Sequence, residues 1–216
     1  MAITVNDAIL LLRVNIVDPS RTNGRYTEAE VLAQLNSAKN TVARELKYPT
    51  RLSSLTSVLN QQEYDVATGI IEINSPVTYD DIFLTFLEFS EVKKLESPLN
   101  PLSNVKLYQT PEYYYIRGES GTLKIGFYPI PDEAGKTIKY FNSYIPATFT
   151  AVDNMPYSND DFNDLIVLLA SVKLLKPDYI GKDLSFERMY LDKLVGCRLD
   201  IKAMQGVDYV DYDEEN

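Results

Sequence analysis

The sequence predicts an α+β fold in which N- and C-terminal helices form a bundle and an antiparallel β-meander domain is inserted between them. Two observations support this prediction. Apolar residues recur with helical spacing before residue 50 and again after residue 158, whereas residues 112–146 contain β-favouring runs separated by turns. Helices this far apart in sequence pack together only if the β segment leaves the bundle and returns to it. The predicted boundaries are residues 1–50, 51–147, 148–204 and an acidic, Tyr-containing tail, 205–216.

Two helices are predicted at the N-terminal end. Thr4 with Asp7 three residues later is a variant of the capping box, and the first helix should end near Asp18. Thr27 and Glu30 form a full capping box at the start of the second helix. Its apolar residues follow at spacings of three and four, and comprise Val31, Leu35, Ala38, Val42 and Leu46.

Residues 51–103 have a less regular pattern than the helical segments. The pattern of residues 53–60 does not distinguish a helix from a strand. Residues 62–74 have the pattern of a hairpin that turns at Thr68-Gly69. Residues 82–89 are apolar on both alternating faces, which favours a strand buried on both sides over a short helix.

The clearest β pattern follows. Residues 113–117 form a first strand, residues 118–121 are a turn with glycine at both ends, and residues 122–128 alternate between apolar and other residues. Prolines at 129 and 131 then interrupt the ladder, because proline has no N–H to donate. Residues 136–145 are predicted to complete the meander.

Two further helices are predicted near the C-terminal end. Ser158 can cap the first, whose first turn is acidic as the helix dipole favours, and Pro177 stops it. The second covers about residues 184–203, with one apolar stripe that includes Cys197 as a small core residue. The tail 205–216 is predicted to be unstructured in the free protein.

Composition excludes several kinds of site. The net charge of −10 opposes binding to nucleic acid or an anionic membrane, since such binding depends on Lys and Arg. The chain has no His and one Cys, so His-based triads, His-containing zinc sites, CxxC sites and internal disulfides are excluded. No cofactor is predicted. We find no signal peptide and no apolar run long enough to span a bilayer, which predicts synthesis in a cytoplasm.

Two carboxylate pairs, Asp80-Asp81 and Asp160-Asp161, are the only candidate catalytic groups. A pair of acids could serve a glycan hydrolase. The plainer interpretation is a turn for the first pair and the acidic start of a helix for the second, so no residue is assigned to catalysis or to a metal.

Two segments are candidates for partner binding. Among the residues around the Tyr113 run, Tyr113, Tyr115 and Glu119 are candidates to face a tail protein or a neighbouring subunit, because tyrosine offers apolar area and a hydroxyl. The tail alternates acidic with apolar residues and could dock into a partner's groove or add to its sheet. The tail candidates are Val207, Asp208, Tyr209, Val210, Asp211, Tyr212, Asp213, Glu214 and Glu215.

The order of these parts resembles the head–tail adaptor (connector) proteins of tailed bacteriophages, particularly the short-tailed type. The similarity lies in two N-terminal helices, the strand and turn of residues 113–121, the strand with a Pro-x-Pro turn in residues 123–135, and the loop leading into the C-terminal helix pair at residues 155–166.

The resemblance implies a non-enzymatic virion protein at the head–tail interface. Such a protein would form a ring of identical subunits, a dodecamer, under the portal protein. The ring would extend the DNA channel, pass DNA without sequence-specific binding, and present a platform for tail or nozzle proteins. In such adaptors the C-terminal segment often reaches the portal. Another neck protein, such as a tail-completion or gatekeeper protein, is the alternative, and a carboxylate-dependent hydrolase a more distant one.

Overall fold

The computed structural model describes residues 4–18, 24–97, 108–119, 122–157, 159–175 and 185–204. The predicted Ser158 cap and the tail lie outside these residues. Five helices are described: α1 (Val5–Asn15), α2 (Glu28–Leu46), α3 (Phe89–Leu95), α4 (Asp160–Leu175) and α5 (Ser185–Met204). The seven strands are β1 (Thr50–Thr56), β2 (Glu63–Asp65), β3 (Ile70–Tyr79), β4 (Ile82–Phe86), β5 (Tyr113–Glu119), β6 (Thr122–Tyr128) and β7 (Thr137–Tyr144).

The chain divides into two compact units, one of Met1–Tyr48 with Ile145–Asn216 and the other of Pro49–Tyr144. The first is helical, with α4 packed against α1, α2 and α5. Both predicted N-terminal capping boxes are present, at Thr4 with Asp7 and at Thr27 with Glu30. The apolar residues predicted for the second helix are all buried. Together with the β unit described next, the terminal helices confirm the predicted α+β class with a β segment inserted between helices.

The second unit is a seven-stranded sheet in the order β1-β7-β3-β4-β5-β6-β2. Neighbouring strands are antiparallel except β4 and β5, which are parallel. The β5–β6 hairpin is confirmed, and its ladder extends to the pair Glu119–Thr122, so the connection is shorter than the predicted four residues. The turn residues Ser120 and Gly121 lie outside the described part of the chain.

Two predicted strand pairings are wrong. Strand β7 does not continue a meander from β6, but lies between β1 and β3. The Pro-containing connection between β6 and β7 is longer than a tight hairpin, which frees β7 to find distant partners. Residues 62–74 do not form a hairpin, because β2 pairs with β6 while β3 pairs with β7 and β4. Gly69 does turn the chain, with a φ of +84°.

Strand β4 was correctly predicted as a strand, but its predicted burial on both faces is wrong. Leu84 is 7% exposed, whereas Ile82 is 58% and Phe83 is 72% exposed. The predicted strand also ran on to residue 89, where α3 begins instead. At seven residues α3 is too short to show helical periodicity in the sequence.

No helix in the described ranges is long and apolar enough to cross a membrane.

Candidate partner-binding surfaces

The tyrosine run on β5 is divided between two hydrophobic clusters. Tyr114 lies in the main core of the sheet, and Tyr115 lies in a smaller cluster with Val92 and Tyr128. Successive strand residues point to opposite faces, and both faces of β5 are covered here. Tyr115 is 1% exposed, which leaves half-buried Tyr113 and exposed Glu119 as the predicted contact residues on this strand that reach the surface.

The Tyr115 side chain is held by one close approach and one hydrogen bond. Its ring passes over Gly126 on β6, where a Cβ atom would overlap the ring. Its hydroxyl donates to Glu63 Oε1 over 2.9 Å. Burial and the neighbouring Glu63 carboxylate both raise the pKa of Tyr115, so the phenol stays neutral and donates. Tyr115 therefore supports the strand internally.

Glu119 belongs to a chain of surface charges that crosses β2, β5 and β6. Its Oε2 lies 2.9 Å from both Lys124 Nζ and Arg117 Nη2, and Arg117 also pairs with Glu63 at 2.9 Å. The hydrogen bond from Lys124, with the Arg117 charge, lowers the pKa of Glu119. Glu119 therefore stays ionised and presents a fixed acceptor beside the loop that follows β5.

The first carboxylate pair forms a two-residue turn between β3 and β4. Asp80 and Asp81 both have positive φ, and Tyr79 pairs with Ile82 across the turn, the geometry of a tight hairpin. Asp80 pairs with Lys136 at 2.9 Å and Asp81 with Lys139 at 2.6 Å. These acids are exposed partners of lysines on β7 and its lead-in, an arrangement that suits turn formation.

The second pair is likewise a structural feature. Asp160 and Asp161 open α4, and Asp161 pairs with Lys193 of α5 at 2.9 Å, alongside Asp164 at 2.6 Å. Lys193 therefore joins the two helices. Among the described residues, no group of three or more Cys, Asp or Glu side chains is arranged to hold a metal ion.

Cys197 is confirmed as a small core residue of α5. Burial, with the acidic residues around it, raises the pKa of the Cys197 thiol to about 11. The thiolate is the reactive form, so a thiol of this pKa is a poor nucleophile near neutral pH.

The exposed apolar tip of β4 was missed by the sequence interpretation. Ile82 and Phe83 directly follow the Asp80-Asp81 turn, and Phe86 farther along the strand is also exposed. Phe86 packs edge-on against Tyr114 of β5, with ring centroids 5.4 Å apart. Alternation in the sequence shows that two faces are apolar, but it does not show which of them another element covers.

Comparison with protein families decides what kind of protein carries these surfaces. The family model of the SU10 adaptor protein matches residues 3–196. This range contains the whole sheet and all five helices, apart from the last residues of α5. The chain belongs to the SU10 adaptor protein family. A comparison with curated proteins gives no match.

Membership in the SU10 adaptor family makes the chain a phage head–tail adaptor protein, which is a structural protein and not an enzyme. This confirms the predicted family and the predicted non-enzymatic role. The tail candidates Val207 to Glu215 lie both outside the family match and outside the described residues.

Proposed function

We propose that this SU10 adaptor assembles as a ring of identical subunits, a dodecamer, between the portal protein and the tail or nozzle proteins. The observation that carries the proposal is the family match over residues 3–196. In this role the ring extends the DNA channel in the virion, and its subunits are made in the host cytoplasm before assembly. The matching family is an adaptor family, which favours this role over that of a tail-completion or gatekeeper protein.

The charge of the chain supports passage of DNA through the ring. Each subunit has a formal net charge of −10. Phosphates bind to Lys and Arg by displacing counterions, so an acidic subunit gives DNA little sequence-independent affinity. Such a ring would let the genome slide through without sequence-specific binding.

We assign two contact regions within this role. The tail residues Val207 to Glu215 dock on the portal, where their alternating acidic and apolar side chains suit a groove or a sheet edge. Tyr113 and Glu119 contact a tail protein or the neighbouring subunit, and the buried Tyr115 between them along β5 supports the strand.

Native mass spectrometry with the portal protein encoded beside this chain tests the proposal. We expect a small species for the free protein and a discrete ring-sized adduct when portal is added. The chain lacking residues 206–216 should keep the far-ultraviolet circular dichroism of the full chain and bind portal more weakly. An unchanged portal spectrum with the full chain would remove the ring-under-portal role, whereas normal docking by the truncated chain would remove only the role of the tail.

A further inference from the structure

Helix α5 carries a second apolar stripe on the side away from its core contacts. Its buried stripe consists of Tyr190, Leu194, Cys197 and Ile201. The second stripe consists of Leu191, Val195 and Leu199, which are 51%, 55% and 43% exposed and recur every four residues. Residues at this spacing lie above one another on a helix, so the stripe is continuous.

Basic residues alternate with this exposed stripe. At about 100° per residue, one sector of about 100° contains, in order around the helix, Arg198, Leu191, Lys202, Val195, Arg188 and Leu199. All six are exposed, and Glu187 and Asp192 stand at the two borders of the sector. We call these six residues the basic α5 face. It bears three positive charges in a chain whose net charge is −10.

The segment that follows α5 has the opposite charge and the same alternation. Residues 207–215 contain five acidic residues, no basic residue, and the apolar or aromatic side chains Val207, Tyr209, Val210 and Tyr212. Composition alone predicts that this acidic segment is unstructured in the free protein. We propose instead that it docks there on the basic α5 face of its own chain. Its carboxylates would pair with Arg188 and Arg198, while its apolar groups cover the exposed stripe.

The length of the segment suits a return along the same helix. Leu191 and Leu199 precede Met204 by thirteen and five residues, about 20 Å and 8 Å along the axis at 1.5 Å per residue. Nine extended residues reach about 30 Å. Gly206 stands two positions after the last helical residue, where glycine often reverses the chain and lets the next apolar residue contact the helix end.

A concavity among the described residues of the helical unit suits the segment less well than the basic α5 face. A cavity of about 600 Å³ is lined by residues of α1, α4 and α5, including Leu11, Val167 and Met189. Its charged residues are Asp164, Asp192 and Lys193, and Lys193 is already paired with Asp161 and Asp164. An acidic segment would meet net negative charge there, so the basic α5 face is the better site.

This docking does not depend on the portal, but it has a consequence for assembly. A portal that binds residues 207–215 would first have to displace them from α5. Displacement would uncover an apolar and basic surface only on subunits that have reached the portal.

The test uses a nitroxide spin label on the free full-length protein. The label is attached to the cysteine of an Asn216→Cys variant in a Cys197→Ala background, so that the docking residues stay unchanged. We expect the amide resonances of α5 around Arg188, Leu191 and Val195 to lose most of their intensity.

Two charge-reversed variants show whether opposite charges hold the acidic segment on the basic α5 face. Replacing Arg188 and Arg198 by Glu should restore the α5 intensities. Replacing Lys93 and Lys94 of α3 by Glu changes the net charge by the same amount and should leave the broadening in place. A sample that mixes ¹⁵N-labelled chain without nitroxide and unlabelled chain with nitroxide should show no broadening.

Three results would overturn the proposal. These are no broadening in the labelled full chain, broadening that survives reversal of Arg188 and Arg198, or broadening that appears in the mixed sample and so places the segment on a neighbouring copy. Because no portal is present, failure here leaves the ring-under-portal role untouched.

Discussion

Gly126 lies under the ring of Tyr115, and this contact fixes how closely β5 and β6 can pack. A Cβ atom at residue 126 would overlap the ring, whose hydroxyl is tied to Glu63. We expect Gly126→Ala to lower the free energy of unfolding by about 1–3 kcal/mol, as overpacking of a core typically does. Urea denaturation measures this. Gly118→Ala on β5, where a Cβ meets nothing within 4 Å, is the matched control and should change stability little; equal effects would show that the Tyr115 contact imposes no constraint.

Asp18 neutralises an arginine that is almost fully buried in the helical unit. Arg13 is 1% exposed, and its Nη1 lies 3.1 Å from Asp18 Oδ2. The Asp18 carboxylate also accepts the N–H groups of Arg25 and Tyr26 over 2.9 and 3.1 Å. Burial alone would raise the pKa of Asp18, but those N–H groups and the Arg13 charge together lower it.

We expect Asp18→Asn to cost about 3–5 kcal/mol at neutral pH, since it leaves a buried charge without its partner. A carboxyl whose pKa is lowered on folding stabilises the fold above its unfolded value of about 4, and this contribution is lost as the pH falls below that value. The difference between wild type and variant, measured by urea denaturation across pH, should therefore shrink in acid. Asp81→Asn, which breaks an exposed ion pair with Lys139, should cost at most about 1 kcal/mol. A difference for Asp18→Asn that is as small as this, or that grows in acid, would contradict the argument.

At the level of single elements, the features that could be predicted from sequence are local ones. The capping boxes at Thr4 and Thr27 and the stripe from Val31 to Leu46 involve residues three or four apart, so the sequence itself displays them. Burial of β4 is not local, because it depends on whether another element covers Ile82 and Phe83. Tyr115 shows the converse, since its burial requires α3, which is too short to give a periodic signal.

The exposure of Phe83 allows a direct test of whether another element covers strand β4 in solution. Phe83 is 72% exposed, whereas Phe127 on β6 is fully buried in the core of the sheet. We expect Phe83→Ala to change the free energy of unfolding by less than about 0.5 kcal/mol. Phe127→Ala, the same chemical change in the core, should cost about 3–5 kcal/mol. Chemical denaturation of both variants decides the point, and a loss for Phe83→Ala approaching that of Phe127→Ala would mean that β4 is covered in solution.

For the whole molecule, the α+β class could be predicted but the strand order could not. The class follows from where helical and strand periodicity occur along the chain. The order depends on pairings between distant segments, such as β1 with β7 and β2 with β6, whose partners share no local signal. The exposure of the predicted contact residues on β5 could not be predicted either. The sequence shows that residue 115 is a tyrosine, but only the fold shows that Tyr115 is buried.

The division of the chain leads to a prediction about independent folding. The buried cluster of the helical unit contains residues of α1, α2, α4, α5 and the loop before α4, and the two clusters of the sheet contain only residues of the β unit. The ends of the β unit are adjacent, since Tyr144 N donates to Pro49 O over 3.1 Å. An insertion whose ends meet can be replaced by a short linker without stretching what remains.

We therefore expect a chain in which Pro49–Tyr144 is replaced by a short Gly/Ser linker to fold as a helical protein with a cooperative thermal transition. Circular dichroism and amide chemical-shift dispersion provide the measurement. Adding Leu165→Asp to the shortened chain should abolish the transition, because Leu165 is fully buried in the helical cluster and an unpaired carboxylate there has no partner. The separate β unit should likewise give the dispersed amide spectrum of a sheet. If the shortened chain melts without cooperativity, as its Leu165→Asp variant should, then the helical unit requires the insertion in order to fold, and the two units form one cooperative domain.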